Sequence, residues 1–181
     1  MHISKLKILI IGPSNSGKTS IANFLSESIN IEEAETPRPT QGVRIVEFEL
    51  SNLSVNGKSN NIDIELWDCS GDHRFESCWP ALRAGVQGVI LVCAPTTAHA
   101  ATRELELLYN YYVSQPKLSA KQCVVFYNCT EEQDDVETLN LSPTFSKVSQ
   151  LAINLKTGGN RLKIDFSNYI ASVMQSINKD V

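Results

Sequence analysis

Residues 12–19 read G-P-S-N-S-G-K-T: two glycines with four residues between them, then a lysine and a threonine. The glycines let the backbone turn tightly, so that successive N–H groups point at one phosphate. Lys18 is placed to reach the β- and γ-phosphates of a nucleotide, and the Thr19 hydroxyl to bind Mg²⁺. Such a loop works only between a strand and a helix. Residues 5–11, K-L-K-I-L-I-I, suit a buried parallel strand. From Ser20 to Ile29, apolar residues fall at Ile21, Phe24, Leu25 and Ile29, a helical spacing. The start of that helix presents a partial positive charge to an anion. The phosphate cradle is therefore expected from Ser14, Asn15, Ser16, Gly17, Lys18, Thr19 and Ser20.

About fifty residues after Lys18 comes W-D-C-S-G, Trp67 to Gly71. An aspartate at the C-terminal end of a strand can hold Mg²⁺ through water, which gives Asp68 its expected role. The Gly71 N–H can reach the γ-phosphate. Between the two motifs lies P-T-Q-G, residues 39–42. Thr40 either caps a loop or closes on the metal and the γ-phosphate when a triphosphate is bound, as a switch segment does. Thr19, Thr40 and Asp68 are the expected metal residues.

The elements that must position these groups alternate along the chain. Strands are expected at 5–11, 43–50, 62–67, 88–94, 122–127 and 148–154. Helices are expected at 20–29, 100–113 and 161–177, the last with Ile164, Phe166, Ile170, Val173 and Ile177 as its apolar positions. Residues 30–39 read as a loop, 51–61 with Asn56-Gly57 as a hairpin turn, and 69–80 as a loop or short helix. Residues 62–67 are expected antiparallel to 43–50. This alternation predicts an α/β fold: a six-stranded, mostly parallel sheet with one antiparallel strand and helices on both faces. The chain has 181 residues, 42% hydrophobic and 20% charged, which fits one domain with a full core. A net charge of −4 argues against nucleic acid as a partner. The five cysteines have no zinc-ligand spacing and read as reduced thiols. No run is long enough to span a membrane. The absence of a terminal lipid site predicts no direct membrane anchor.

With these residues in place the chain resembles the Ras-superfamily small GTPases over nearly all of its length. Within that superfamily it is most similar to the Rab-like subunits of the intraflagellar transport B complex. The specific matches are W-D-C-S-G-D followed by F-E-S-C-W-P-A-L (residues 75–82), and P-T-Q-G-V-R-I-V-E-F (residues 39–48). The resemblance implies a P-loop GTPase fold, with residues 1–181 as a single small-GTPase domain binding GTP or GDP with Mg²⁺. It also implies attachment to coiled-coil subunits of that transport complex, in the cytoplasm and in the cilium or flagellum and its base. A domain of this kind is expected to be monomeric outside the complex.

The chain departs from the family pattern in three places. The glutamine that usually follows Gly71 and orients the attacking water is replaced by Asp72, shorter and anionic. At about 5 Å and an effective dielectric of ~20, its repulsion of a γ-phosphate charge has an upper bound of roughly 3 kcal/mol. The expectation is slow hydrolysis and a long-lived GTP state. The guanine-reading N-K-x-D motif is N-C-T-E, residues 128–131. Asn128 contacts the base or is a plain turn residue after a strand, and Glu131 stands in for the base-pairing aspartate. Lys156, in N-L-K at 154–156, aligns with a further base-contact loop. Finally, the span from Asn128 to Asn154 is short and broken by Asn140 and Pro143, so the helix usual there is expected to be reduced or absent.

Phe75 and Trp79 lie in the segment that would move with nucleotide state. They are expected either to pack on the core or to anchor a partner. Tyr109, Tyr111 and Tyr112 read as helix packing plus one exposed ring, and His73 and His99 as surface residues. The acidic run from Glu131 to Glu137 is a solvated loop or a docking patch for a basic partner. Two functions stand against each other: a nucleotide-stabilised docking module, and an actively cycling GTPase switch whose partner supplies the catalytic group. A small P-loop kinase would need an arginine-rich lid that the sequence lacks.

Overall fold

The computed structural model describes residues 4–26, 38–94, 98–129 and 141–178. Six strands form one sheet: β1 (Lys5–Ile11), β2 (Val43–Val55), β3 (Lys58–Cys69), β4 (Gly88–Cys93), β5 (Cys123–Asn128) and β6 (Ser149–Ile153). Their order is β2-β3-β1-β4-β5-β6. Only the β2–β3 pair is antiparallel, and the other four pairings are parallel. Among the described residues four α-helices accompany them: α1 (Lys18–Leu25), α2 (Trp79–Arg83), α3 (Ala98–Tyr109) and α4 (Gly159–Ile177).

The central strands are buried on both faces, because successive side chains point to opposite sides and both sides carry helices. Ile8 and Ile10 of β1 join Ile90, Val92, Val124 and Phe126 under α1 and α4. Leu9 and Ile11 join Val89, Leu91, Cys123 and Val125 under α2 and α3. Every parallel strand therefore ends at one edge of the sheet. Ile10 lies opposite Asp68, Ile11 opposite Leu91, Cys93 opposite Tyr127, and Asn128 opposite Ile153. The antiparallel β2 begins at that same edge, with Val43 opposite Cys69, which delivers Thr40 there. In an open α/β sheet this edge is where ligands bind.

Several sequence expectations need correction. The hairpin turn is not 51–61 but Asn56-Gly57 alone, both with positive φ (51° and 76°), as a two-residue hairpin turn demands. The polar stretch on either side stays paired. A bulge between Leu50 and Leu53 absorbs the irregularity, with Asn52 at φ 58° and its N–H donating to Asn61 Oδ1 at 3.1 Å. Ile164 was expected in the core of the last helix, yet it is 58% exposed. The buried face instead runs through Leu162, Phe166, Tyr169, Ile170 and Val173. None of Tyr109, Tyr111 and Tyr112 is an exposed ring: Tyr112 is fully buried and the other two are half-buried against it and against Phe145. The expected helix at 100–113 continues past Tyr109 as a wider π-type turn through Ser114, with Gln115 N–H donating to Asn110 O. Of the expected loop at 30–39, residues 30–37 lie outside the described residues. So do residues 130–140 of the span after Asn128; what is described between there and β6 is a short 3₁₀ turn at Pro143–Phe145.

Candidate functional site

Gly12 follows β1 directly, and its φ of 151° and position against β4 exclude a side chain: a Cβ there would lie 2.0 Å from Val92 O. The chain then turns through Asn15 (φ 62°) and enters α1 at Gly17 (φ 93°). Ser14 and Asn15 form the exposed crest of the loop, Ser16 is buried, and Ser20 lies half-buried in the first turn of α1. Lys18 folds back into this loop. Its Nζ donates to Gly12 O at 2.9 Å, to Pro13 O at 2.6 Å and to Ser16 Oγ at 3.4 Å. A buried ammonium held only by uncharged oxygens, two carbonyls and a hydroxyl, is poorly compensated. Burial lowers its pKa to about 8, against the pull of Asp68 and then Glu104.

This has a consequence for binding. A phosphate arriving beside Lys18 restores the ammonium, so above pH 8 binding takes up a proton. Affinity for a nucleotide is expected to be flat just below pH 8 and to fall above it, by no more than tenfold per pH unit. Calorimetry in buffers of differing ionisation heat measures that proton uptake directly. Equal affinity at pH 7 and pH 9.5 would refute it.

The three expected metal residues converge. Thr19 Oγ1 donates to Asp68 Oδ2 at 2.8 Å, and Thr19 and Thr40 hydroxyls lie 2.9 Å apart. Thr40 Oγ1 is also 3.3 Å from Asp68 Oδ2. Asp68 is fully buried, and its Oδ1 has no hydrogen-bond partner. Burial raises its pKa, while Thr19, Arg44, Lys18 and Thr40 oppose the rise. An orphaned carboxylate oxygen beside two hydroxyls is a hard-oxygen seat that suits Mg²⁺ sharing its shell with phosphate and water. Among the described residues no group of three or more His, Cys, Asp or Glu could hold a metal. A seat made of hydroxyls and one carboxylate would not form such a group.

The second motif closes against the first. A Cβ on Gly71 would lie 2.4 Å from Ser14 N and 2.6 Å from Gly12 O, so the backbones touch there. Ser70 N–H donates to Gly42 O at 2.8 Å, tying the segment after Thr40 to the turn after Asp68. Asp72 turns into its own chain. Its Oδ1 accepts from Arg74 N–H at 2.9 Å and caps the 3₁₀ turn His73–Cys78, while its Oδ2 pairs with Arg74 Nη2 at 2.6 Å and Nε at 2.8 Å. The Arg74 hydrogen bonds hold the carboxyl below its ordinary pKa. The sequence-level repulsion is therefore largely neutralised by Arg74, and what remains is the missing amide.

The base-side residues are placed less completely. Asn128 Nδ2 donates to Ser16 O at 3.1 Å and packs over Gly17, which makes it a brace of the phosphate loop rather than a plain turn residue. Cys129 N–H donates to Ile153 O, bringing the turn after β6 alongside. There Asn154 Oδ1 accepts from the N–H groups of Lys156 and Thr157, and the Lys156 side chain is exposed. Glu131 lies outside the described residues.

Trp79 packs at a tilt against Tyr111 and Tyr112, with 5.3 and 5.7 Å between ring centres, and Phe75 is half-buried near Gly42. A small pocket opens between this segment and α3, lined by Gly71, His73, Trp79, Glu104 and Tyr112 among others. His73 bridges it, bonded to Glu76 and 3.7 Å from Glu104. The buried cysteines are inert: burial pushes the Cys69 and Cys93 thiols up to about 12. Sequence reasoning gave no role to Arg44 or Asn23, although Arg44 lay within a quoted motif. Its signal was register: two strands converging on one edge put Arg44 opposite Asp68.

The sheet order, the loop after β1, and the Thr19–Thr40–Asp68 seat together define a P-loop GTPase domain of the Ras type. Residues 7–135 match the family described as Ras of Complex, Roc, domain of DAPkinase. The human intraflagellar transport protein 22 homolog is 41% identical over 177 residues, covering 97% of this chain and 93% of its own length. Its counterpart from Danio rerio is 39% identical over 176 residues, with the same coverage. A Caenorhabditis elegans protein named intraflagellar transport associated protein 2 is 25% identical, covering 93% of this chain and 79% of its own. In fold, the chain is similar to a chain of the T. brucei IFT22/74/81 GTP-bound crystal structure, with a TM-score of 0.76, 20% identity, and 98% and 99% of the two chains covered. The chain belongs to the Ras-like small GTPases and, among them, to the intraflagellar transport protein 22 homologues.

Proposed function

We propose that residues 1–181 act as a single GTP-binding domain of the intraflagellar transport B complex, holding Mg²⁺ and hydrolysing GTP slowly. The convergence of Thr19, Thr40 and Asp68 beside the Lys18 loop carries this reading. Those groups come from three distant segments and meet only where a triphosphate and its metal would need them. In this reading Ser14, Asn15, Ser16, Gly17, Lys18, Thr19 and Ser20 bind the phosphates, and Gly71 meets the γ-phosphate. Asn128 and, by alignment, Glu131 and Lys156 serve the base.

The relatives' names support placement in the cilium or flagellum, and the T. brucei complex supports partners of the 74/81 kind, which we take to be coiled-coil subunits. Docking is assigned to the switch face, with Phe75 and Trp79 as its candidate anchors. No helix among the described residues is long and apolar enough to cross a membrane. The net charge of −4 disfavours nucleic acid. Outside the complex the domain is taken to be monomeric.

Denaturing purified protein and identifying what is released tests the reading. Guanine nucleotide near one equivalent is expected; neither bound nucleotide nor heat on adding GTP with Mg²⁺ would end it. Single-turnover hydrolysis should run slower than the roughly 10⁻⁴ s⁻¹ of unaided Ras-type enzymes. Asp72→Gln should raise that rate, because it both restores a water-orienting amide and frees Arg74. A rate unchanged by the substitution would mean that the missing amide is not the cause.

A further inference from the structure

The metal seat contains a cation of its own. Arg44 lies opposite Asp68 in the β2–β3 register, on the same face of the sheet. Its Nη2 is 3.4 Å from Asp68 Oδ2 and donates to Asn23 Oδ1 on α1 at 2.6 Å. Its Nε is buried and has no hydrogen-bond partner. Asn23 is itself buried, so the guanidinium is anchored from the helix side and aimed at the carboxylate. A surface ion pair would not draw notice. Here, however, the acidic partner is fully buried, and it is the residue a divalent metal needs.

We infer that Arg44 is a positioning residue that serves as the resident counter-ion of Asp68 and shares that carboxylate with Mg²⁺. The inference rests on the nucleotide-binding reading above. When the metal leaves a site of this kind, a buried carboxylate is left facing the phosphates, and their repulsion expels the nucleotide. Arg44 removes much of that repulsion, because its charge stays beside Asp68 whether or not the metal is there. The same charge opposes the incoming metal. Arg44 therefore weakens Mg²⁺ binding and strengthens Mg²⁺-free nucleotide retention. These are two effects of opposite sign from one side chain, as linkage between competing ligands requires.

The test uses the full chain loaded with a fluorescent guanine nucleotide. Chelation with EDTA triggers release, and Mg²⁺ affinity is read by titrating the metal back. In Arg44→Gln, release after EDTA should quicken by about tenfold, while the apparent Mg²⁺ dissociation constant should tighten by a similar factor. Arg44→Lys, which keeps the charge, should restore most of both. A side chain that merely held the fold together would worsen both readings, and that result would overturn the proposal. Unchanged EDTA release with normal nucleotide binding would overturn it while leaving the function intact. No nucleotide bound by wild type or variant would overturn both. If Arg44→Gln fails to fold, Asn23→Ser, which loosens the anchor of the guanidinium, should shift both readings in the same directions by a smaller amount; no shift would overturn the proposal.

Discussion

Lys18→Ala is expected to weaken guanine nucleotide binding by roughly 30- to 5,000-fold, equivalent to about 2–5 kcal/mol, the range for removing one partner of a buried charge pair. The structure says why the loss should be large. Lys18 is the buried cation of the loop, and in the structure its ammonium has only two carbonyls and a hydroxyl for partners. Those groups satisfy hydrogen bonds without neutralising charge, so a phosphate is the partner that this environment lacks. Alanine leaves the phosphates of the proposed nucleotide without that cation. A nucleotide at 100 times its dissociation constant stabilises the fold by about 2.7 kcal/mol. For the variant at the same concentration, that stabilisation should fall to about 0.9 kcal/mol or less. A full shift in Lys18→Ala would show that the loop does not hold the phosphates.

How much of this could be read from the sequence depended on how local each signal was. The phosphate loop was legible because its function is carried by adjacent residues whose conformational needs are written in the glycines. The six strands were legible because their apolar runs match a sheet buried on both faces. Ile164 was misassigned for a physical reason: α4 has apolar residues on more than one side, and periodicity alone cannot say which side the sheet occupies. The hairpin was read as a long turn because Ser51, Asn52, Asn60 and Asn61 are polar. Polarity in a strand that is exposed on one face is compatible with pairing, and the bulge at Asn52 accommodates the rest.

The electrostatics of the site were the least legible. Asp72 could be recognised as a substitution, but its pairing with Arg74 depends on the geometry of a 3₁₀ turn that no spacing rule announces. Arg44 was harder still, because its partners Asn23 and Asp68 lie 21 and 24 positions away on either side and meet it only through tertiary packing. Asn128 was left between a base contact and a turn. The bond from its amide to Ser16 O shows a third possibility, a tie between the base loop and the phosphate loop.

Gly71→Ala is the second substitution with a large expected effect, and it separates recognition of the γ-phosphate from recognition of the nucleotide as a whole. The added methyl would lie 2.4 Å from Ser14 N, 2.6 Å from Gly12 O and 2.6 Å from Pro13 C, all backbone atoms of a loop that has no flexible end to swing aside. One of the two backbones must retreat. Gly12 cannot, since it is already pressed against Val92 O. The turn after Asp68 therefore moves outward, taking the Gly71 N–H away from the place proposed for the γ-phosphate. Overpacking of this kind costs about 1–3 kcal/mol, and a lost hydrogen bond to a charged oxygen costs about 1.5–3 kcal/mol. GDP does not use that N–H, so its affinity should fall much less. The preference for GTP over GDP is expected to drop at least tenfold, since the lost hydrogen bond alone is worth about that factor. Competition between the two nucleotides at fixed Mg²⁺ measures it. Equal losses for GTP and GDP would mean that the methyl distorts the whole cradle and that Gly71 has no particular relation to the third phosphate.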